Sequence, residues 1–346
     1  MIDFRYHLVS LVSVFMALAI GVVLGAGPLQ GSIGDQLSSQ VDDLVRDKAD
    51  LQQAVENRDD QISDRDTFIA AVGADLTAGR LAGREVVLVT LVGADSGAVE
   101  ALADQLEQAG AAVTGRVAVT PRWTDPEQAA FRQSLAAQLL PFLAPAQTPD
   151  PTAGADAELA AVLAAAVLTP AASDGTADGG SETGGEAAQA QTLLDGLTGG
   201  ELVGVDGEPQ ARADLAVVVG GNPQESVGAD DPDWARAAAG SHLALMAALD
   251  GSAGAVLAGP VGATQDDGVL RVLRGDALAG VVSGVDSADT AMGRVTTVLA
   301  LAGEADGRSG QYGFGEDAAA PVPDDVPADG APADAGGEDA DAGADG

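Results

Sequence analysis

Cysteine is absent from the 346 residues of this sequence, and histidine and lysine are nearly absent. Without cysteine the chain forms no disulfide and offers no thiolate to a metal ion. Aromatic residues account for only 3% of the chain, so aliphatic side chains must form the hydrophobic core. The fold therefore depends on the packing of those aliphatic side chains.

Positive charge is also scarce. The chain has 16 lysine and arginine residues and 53 acidic residues, which gives a formal net charge of -37 at pH 7. Such a surface repels the phosphates of nucleic acids and of anionic lipids, and nucleic-acid binding is excluded on this ground. Hydrophobic residues make up 46% of the chain, which is enough for one core of ordinary domain size.

A long apolar run near the N-terminus contrasts with this acidity. Residues 8–27 contain no ionisable side chain and, as a helix, span roughly 30 Å, the thickness of a bilayer core. The run predicts a transmembrane helix. A cleaved secretory signal is the alternative, but the run is longer than the usual apolar region of a signal peptide, and Pro28 follows the small residues at its end. We therefore expect an uncleaved signal anchor.

The charges that flank this run predict its orientation. Arg5 precedes the apolar run, whereas the first basic residue after it is Arg46. By the positive-inside rule, residues 1–7 stay in the cytoplasm and the remainder of the chain lies outside. The sequence thus predicts a single-pass protein of the cell membrane with an extracytoplasmic body.

A heptad pattern follows the apolar run. Residues 35–72 contain neither proline nor glycine, and their apolar residues recur at the spacing of a coiled coil. The d positions are Leu37, Leu44 and Leu51, the a positions are Val41, Val55, Ile62 and Ile69, and the polar exceptions are Lys48, Arg58 and Arg65. We interpret this stretch as a coiled-coil stalk. The alternative is a single amphipathic helix that lies on the globular domain.

The apolar run itself carries a packing motif. Gly21 and Gly25 are four residues apart, and small residues at this spacing allow two membrane helices to approach closely. Together with the heptads, this motif predicts a parallel homodimer or a higher homo-oligomer.

From residue 84 onward, short apolar runs bounded by glycine alternate with helical stretches. The segments REVVLVTLVG, AAVTGRVAVT, DLAVVVGG, GAVLAGP and AGVVSGV are typical of strands, most of them buried on both faces. Helices are expected at 97–108, 125–140, 232–250, 265–274 and 287–302. The alternation predicts an α/β domain at 84–302, Rossmann-like or flavodoxin-like, with three layers and a mostly parallel sheet of about five strands.

Two acidic stretches do not follow this pattern. Residues 171–188 and 315–346 contain acidic residues, no basic residue and few side chains that could pack. We expect the first to be a disordered insertion and the second a disordered acidic tail.

Signals for catalysis or for a cofactor are weak. The turns at 220–222 and 259–262 are glycine-rich, but neither matches a dinucleotide fingerprint or a phosphate-binding loop, and we interpret their glycines as turn residues. Ser241 or Ser96 with His242 would suggest a hydrolase, yet the sequence has no G-x-S-x-G turn. The sequence predicts neither an enzyme nor a bound cofactor.

One pair of side chains has the chemistry of a copper site. His242 and Met246 are four residues apart on a predicted helix, which places two soft ligands on one face. The same spacing among leucines is that of a buried core stripe. Both interpretations stay open at this stage.

Two parts of the chain resemble a known family. The segment MIDFRYHLVSLVSVFMALAIGVVLG, followed by the heptads, is similar to the start of the mycobacterial copper transport proteins of the MctB family. The segment VSGVDSADTAMGRVTTVLALA at 282–302 and the triplet at 311–313 look like the closing motifs of that family. The resemblance implies an actinobacterial envelope protein that takes part in copper export, with a pore in the outer membrane. No copper ligand of the family can be transferred to a position of this sequence.

The sequence therefore predicts a non-enzymatic, membrane-anchored envelope protein of copper homeostasis, with copper as a transported ion. The alternative is an envelope scaffold or protein-interaction module without a transport role, whose partners are other envelope proteins. An outer-membrane pore requires strands that alternate apolar and polar residues over about ten positions. The sequence shows buried α/β strands and one apolar helix instead.

Overall fold

The computed structural model describes residues 3–25, 29–150, 152–169, 184–207, 212–222, 231–265 and 268–324. The chain forms two compact units, residues 1–65 and 66–346. The first unit is helical, and the second is a mixed α/β unit.

The first unit begins with the predicted apolar helix. Helix α1 spans Asp3–Gly25, and the stretch Phe4–Gly25 is long and apolar enough to cross a membrane. Among the residues that the structure describes, it is the one helix with this length and composition. Its side chains are exposed throughout. Because a helix that is apolar all round needs an apolar surrounding, this exposure fits a helix placed in a membrane.

Helix α2 spans Leu29–Thr77 and contains the predicted heptads. Six apolar side chains of the a and d positions are half to two-thirds exposed, namely Leu37 60%, Val41 50%, Leu44 67%, Leu51 67%, Val55 53% and Ile62 52%. Ile69 is partly exposed. Such a stripe is the surface that a coiled coil covers, and the coiled coil itself stays a prediction.

The last turns of α2 belong to the second unit, and one face of these turns packs against the rest of that unit. A Cβ atom at Gly73 would lie 2.3 Å from Cγ2 of Val295, so the helix contacts this side chain through its backbone. Gln105 Nε2 donates a hydrogen bond to Thr77 Oγ1 at 3.1 Å. The heptad register continues on the other side, where Val72 and Leu76 are 49% and 47% exposed.

Seven strands form the sheet of the second unit in the described part of the chain. In chain order they are β1 Glu85–Thr90, β2 Ala112–Val119, β3 Val203–Asp206, β4 Leu215–Val219, β5 Ala255–Ala258, β6 Ser283–Val285 and β7 Gln311–Tyr312. Their order across the sheet is β3-β2-β1-β4-β5-β6-β7, and all neighbours are parallel except β2 and β3. The predicted mostly parallel sheet is confirmed, but it has seven strands rather than about five.

Helices cover both faces of this sheet. They are α3 Ser96–Gln108, α4 Ala129–Leu139, α5 Ala155–Val167, α6 Gly184–Gly199, α7 Pro232–Ser252, α8 Val269–Arg274 and α9 Ala291–Ala305. Side chains of β1 alternate between the two faces, as successive residues of a strand must. Val86 and Leu88 pack with α3 and α9, whereas Val87 and Val89 pack with α4 to α8. The unit therefore has three layers around two hydrophobic cores.

Several boundaries differ from those expected from the sequence. The strands β3 and β7 and the helices α5 and α6 were not expected, and β7 extends the domain beyond the predicted end at residue 302. Residues 184–188 of the predicted insertion form the start of α6, while 171–183 lie outside the described residues. Residues 315–324 of the predicted tail contact the domain, for example through the 2.6 Å ion pair of Arg271 with Asp317. Residues 325–346 lie outside the described residues.

Candidate functional site

A cleft of about 520 Å³ lies at the carboxyl ends of the parallel strands. The chain leaves β1 toward β2 on one side of the sheet and leaves β4 toward β5 on the other, although β1 and β4 are neighbours. Such a reversal opens a crevice between two strand ends, and α/β sheets usually bind ligands there. The residues that line the cleft include Gly93, Asp95, Gly97, Gly220, Asn222, Gly259, Pro260, Asp289 and Arg294. Its volume is within the range of small-molecule sites.

The two glycine-rich turns noted in the sequence meet at this cleft. Gly220 and Asn222 follow β4, and Gly259 follows β5. A Cβ atom at Gly221 would lie 2.1 Å from the carbonyl carbon of Gly93, so the turns after β4 and β1 touch through their backbones. Gly221 therefore has a packing role, because any side chain there would push the two turns apart.

Replacing Gly221 with alanine should lower the free energy of unfolding by about 1–3 kcal/mol, because the added methyl group overlaps the backbone of Gly93. Chemical denaturation followed by circular dichroism measures this change. Gly240→Ala is the matched control, since Gly240 lies in α7 with nothing within 4 Å of an added Cβ, and helix propensity should make it neutral or slightly stabilising. Equal stabilities of the two variants would contradict the packing role.

Two helices begin at the cleft, and a side chain caps each of them. Asp95 Oδ1 accepts a hydrogen bond from the main-chain N–H of Ala98 at 2.8 Å, which caps α3. Thr290 Oγ1 accepts one from the main-chain N–H of Gly293 at 3.1 Å, which caps α9. These caps hold the turns that form two walls of the cleft.

The charged side chains of the cleft are two aspartates and one arginine. Asp95 and Asp289 are exposed, and Arg294 Nη1 donates to the main-chain oxygen of Asp289 at 3.0 Å. A pyrophosphate group bound at the start of α3 would lie beside the carboxylate of Asp95. The electrostatics of the cleft therefore disfavour a dinucleotide, in line with the lack of a fingerprint in the sequence.

A buried ion pair supports the turn that leads from β6 to the cleft. Arg274 Nη2 lies 3.0 Å from Asp286 Oδ2, and the two side chains are 1% and 0% exposed. Asp286 also accepts hydrogen bonds from the main-chain N–H groups of Phe314 and Gly315 and from Ser287 Oγ, each at 2.9 Å. Burial alone would raise the pKa of Asp286, but these hydrogen bonds and Arg274 together hold it below its usual value.

This ion pair joins the two segments that carry the closing motifs. Asp286 lies in the segment 282–302, and Arg274 Nη2 also donates to the main-chain oxygen of Tyr312 at 2.8 Å. Sequence reasoning did not single out either charged residue. The available signal was the position of Asp286 directly after an uncharged run that predicts a buried strand, where a solitary carboxylate needs a partner.

A second buried carboxyl group lies at the opposite end of the sheet from the cleft. Glu304 Oε1 accepts a hydrogen bond from the main-chain N–H of Ser283, the first residue of β6, at 2.8 Å. Burial, with a smaller contribution from the charge of Asp250, raises the pKa of Glu304 to about 7. Its place at the amino end of β6 separates Glu304 from any chemistry of the cleft.

The predicted copper pair lies on α7, away from the residues that line the cleft. Burial lowers the pKa of His242 to about 4, so its ring is neutral at pH 7, and its Nε2 atom has no hydrogen-bond partner among the described residues. Met246 is 1% exposed and belongs to the core between the sheet and α7. Copper binding by this pair stays a prediction.

The glycines of the predicted membrane-helix contact lie open on α1. An added Cβ atom would meet nothing within 4 Å at Gly21 or at Gly25. This face of α1 therefore offers the close approach that a small-residue pair allows.

Family comparison extends over almost the whole described chain. A family model described as "Copper transport outer membrane protein, MctB" matches residues 1–323, from α1 through β7. The chain belongs to this family. The MctB resemblance noted in the sequence is thus confirmed, including both closing motifs within the matched range.

Individual MctB relatives match over a similar length. The copper transporter MctB of Mycobacterium tuberculosis (strain ATCC 25618 / H37Rv) is 31% identical over 328 residues, which cover 92% of this chain and 98% of the relative. The copper transporter MctB of Mycobacterium bovis matches to the same extent. That of Mycobacterium leprae is 27% identical over 327 residues, again with 92% and 98% coverage.

Proposed function

We propose that this MctB family member is a membrane-anchored envelope protein that takes part in copper export and copper homeostasis without catalysing a reaction. The family match across residues 1–323 carries the proposal, because it includes both the apolar helix and the α/β unit. Its relatives are named copper transporters. In this proposal copper is the transported ion, and no cofactor is required.

Two observations support a non-enzymatic α/β unit of the Rossmann-like kind. The strand order β3-β2-β1-β4-β5-β6 is that of the doubly wound dinucleotide-binding folds, although β3 runs antiparallel to β2. Ser241 Oγ donates to Asp156 Oδ2 at 2.7 Å, so this serine hydroxyl is engaged by a carboxylate and not by His242. A serine nucleophile would need a basic partner at that place.

Copper accumulation in a deletion strain tests the proposal. Cells that lack the protein should accumulate more copper than the parent strain, and the wild-type gene should restore the parental level. A gene with His242→Ala and Met246→Leu should restore it equally, because leucine fills the place of Met246 in the core and one imidazole with one thioether does not form a tight site. An unchanged copper content in the deletion strain would contradict the transport role. If only the double variant fails to restore the parental copper level, α7 is the copper site.

The proposal places α1 as an uncleaved anchor with the N-terminus in the cytoplasm. A reporter enzyme that works only outside the cytoplasm should be active when fused after Gly346, because Arg5 at the start of α1 stays inside. N-terminal sequencing of the mature protein should begin at Met1 or Ile2. A mature N-terminus near Pro28 would show a cleaved signal peptide instead.

We also propose that the chain forms a parallel homodimer through α1 and α2. The open glycine face of α1 and the exposed aliphatic stripe of α2 support this assembly. The same stripe favours the second candidate function, an envelope scaffold without a transport role, since a coiled-coil stalk positions proteins whether or not copper moves. The copper measurement in the deletion strain separates these two functions.

A further inference from the structure

Three basic side chains interrupt the aliphatic stripe of α2. Lys48 occupies an a position, and Arg58 and Arg65 occupy d positions. All three are exposed, and no ion pair involves them within the part of the chain that the structure describes. A charge in a coiled-coil seam costs stability unless a partner helix supplies the opposite charge.

An aspartate stands beside each of these basic residues at the edge of the stripe. Asp47 occupies the g position before Lys48, Asp59 the e position after Arg58, and Asp66 the e position after Arg65. The e and g positions border the seam, and their charges determine which partner a coiled coil accepts and in which orientation. Successive residues of one helix point in directions about 100° apart, so each aspartate faces away from its own basic neighbour.

We propose that α2 pairs with α2 of a second copy in parallel and in register, and that these three charged layers select this arrangement. In a parallel seam, a side chain at a packs beside the partner's preceding g residue, and a side chain at d packs beside the partner's following e residue. Lys48 then meets Asp47 of the second copy. Arg58 meets Asp59 in the same way, and Arg65 meets Asp66.

The net negative charge of the chain favours such layers. Two copies with a formal charge of -37 each repel one another, and local attraction has to offset that repulsion where the stalks meet. A shift by one heptad moves Lys48 to the layer of Val41 or Val55, next to an apolar side chain, and unpairs its aspartate. In an antiparallel arrangement, equivalent residues of the two copies lie far apart except near the centre of the paired helices. The basic residue and the aspartate of each layer then no longer face each other.

The inference depends on the proposed dimer, and a disulfide scan tests orientation separately from assembly. The natural chain has no cysteine, so a single introduced cysteine reports only its own contacts. In full-length protein in its membrane, Leu44→Cys should give a disulfide-linked dimer upon mild oxidation, because equivalent d positions lie within disulfide range only in a parallel, in-register pair. Gln53→Cys, on the outer face of the same helix, should remain unlinked.

Charge exchange tests the layers themselves. One variant carries Lys48→Asp, Arg58→Asp and Arg65→Asp, and a second carries Asp47→Lys, Asp59→Lys and Asp66→Lys. Each variant alone places like charges in every layer, and the yield of disulfide through Leu44→Cys should fall at least tenfold. Co-expression of the two makes every layer complementary and should restore the yield as a mixed dimer. Thermal unfolding of the α/β unit should be the same for all variants, which excludes misfolding as the cause.

The possible outcomes separate the claims. Undiminished linkage in each charge variant alone would overturn the role of the layers and leave the dimer in place. Linkage of Leu37→Cys to Ile69→Cys in mixed chains, with none through Leu44→Cys, would show an antiparallel pair and overturn the orientation. Absence of every linkage would remove the dimer and with it this inference.

Discussion

Replacing Asp286 with asparagine should lower the free energy of unfolding by about 3–5 kcal/mol, because the charge of Arg274 is then buried without a counterion. The main-chain N–H groups of Phe314 and Gly315 donate to different oxygens of Asp286. An asparagine keeps an acceptor for only one of them and turns its NH2 group toward the other, which then lacks an acceptor. Denaturant unfolding of the purified protein, followed by the fluorescence of the buried Trp123, measures the loss.

The control is Asp317, which forms an ion pair with Arg271 of α8, the helix that also carries Arg274. Asp317 lies 2.6 Å from Arg271, but the two side chains are 59% and 38% exposed. Asp317→Asn should therefore cost about 1 kcal/mol or less, since solvent screens an exposed pair. If Asp286→Asn proves no more costly than this control, the ion pair does not support the domain.

The same carboxylate makes stability fall in acid. The pKa of Asp286 is lower in the folded chain than in the unfolded chain, so its contribution is fully present above the unfolded value and is lost as the pH falls through the folded value. This part of the acid sensitivity should disappear in Asp286→Asn. Unfolding curves at several acidic pH values compare the two proteins.

Leu44→Asp combined with Leu51→Asp should convert a crosslinkable dimer into a monomer. Two leucines from each helix leave the seam, and at about 1.5–3 kcal/mol for each buried leucine the dimer loses about 6 kcal/mol or more. Such a loss weakens association by roughly four orders of magnitude. Chemical crosslinking in membranes and the mass of the detergent-solubilised protein report the change.

Ala49→Asp with Gln53→Asp adds the same charge to α2 outside the a and d positions and should leave the dimer intact. The α/β unit should unfold at the same temperature in both double variants, because Leu44 and Leu51 are 67% exposed and outside its core. A dimer that survives the leucine changes would show that α2 is not the contact, and α1 would then have to account for assembly.

Local sequence patterns predicted the features that depend on neighbouring residues. The apolar run of β1 and the helical spacing of α3 are visible within ten or so residues, and both elements occur as expected. Helix α1 is recognisable from length and composition alone. The parallel sheet followed from the alternation of these elements, because parallel strands need a crossover between them.

Elements that depend on distant contacts were missed. Helix α5 is buried along residues 159–167 except at the partly exposed Ala161, so it lacks the polar face by which amphipathic helices are recognised. Helix α6 begins with a glycine-rich segment typical of a linker, and only the later burial of Leu193, Leu194 and Leu197 accounts for the helix. The strand β7 has two residues, which is too short for any period to appear.

The cleft and the buried ion pair also depend on contacts that the sequence alone does not indicate. Gly221 and Gly93 are separated by more than a hundred residues, and nothing in the sequence indicates that their backbones touch. Arg274 and Asp286 are closer in sequence, but the main-chain groups that complete their hydrogen bonds come from residues 312–316. Such partners become visible only when the strand order is known.

The position of these partners determines when the domain can finish folding during synthesis. Arg274 and Asp286 emerge from the ribosome before Tyr312, Phe314 and Gly315, which follow Asp286 by more than twenty residues. Until those residues arrive, the core of β4, β5 and β6 would have to enclose two charges whose main-chain partners do not yet exist. Completion of the sheet is therefore delayed until the chain has been made beyond β7. With the proposed orientation, the delay would leave the sheet incomplete while the chain crosses the membrane.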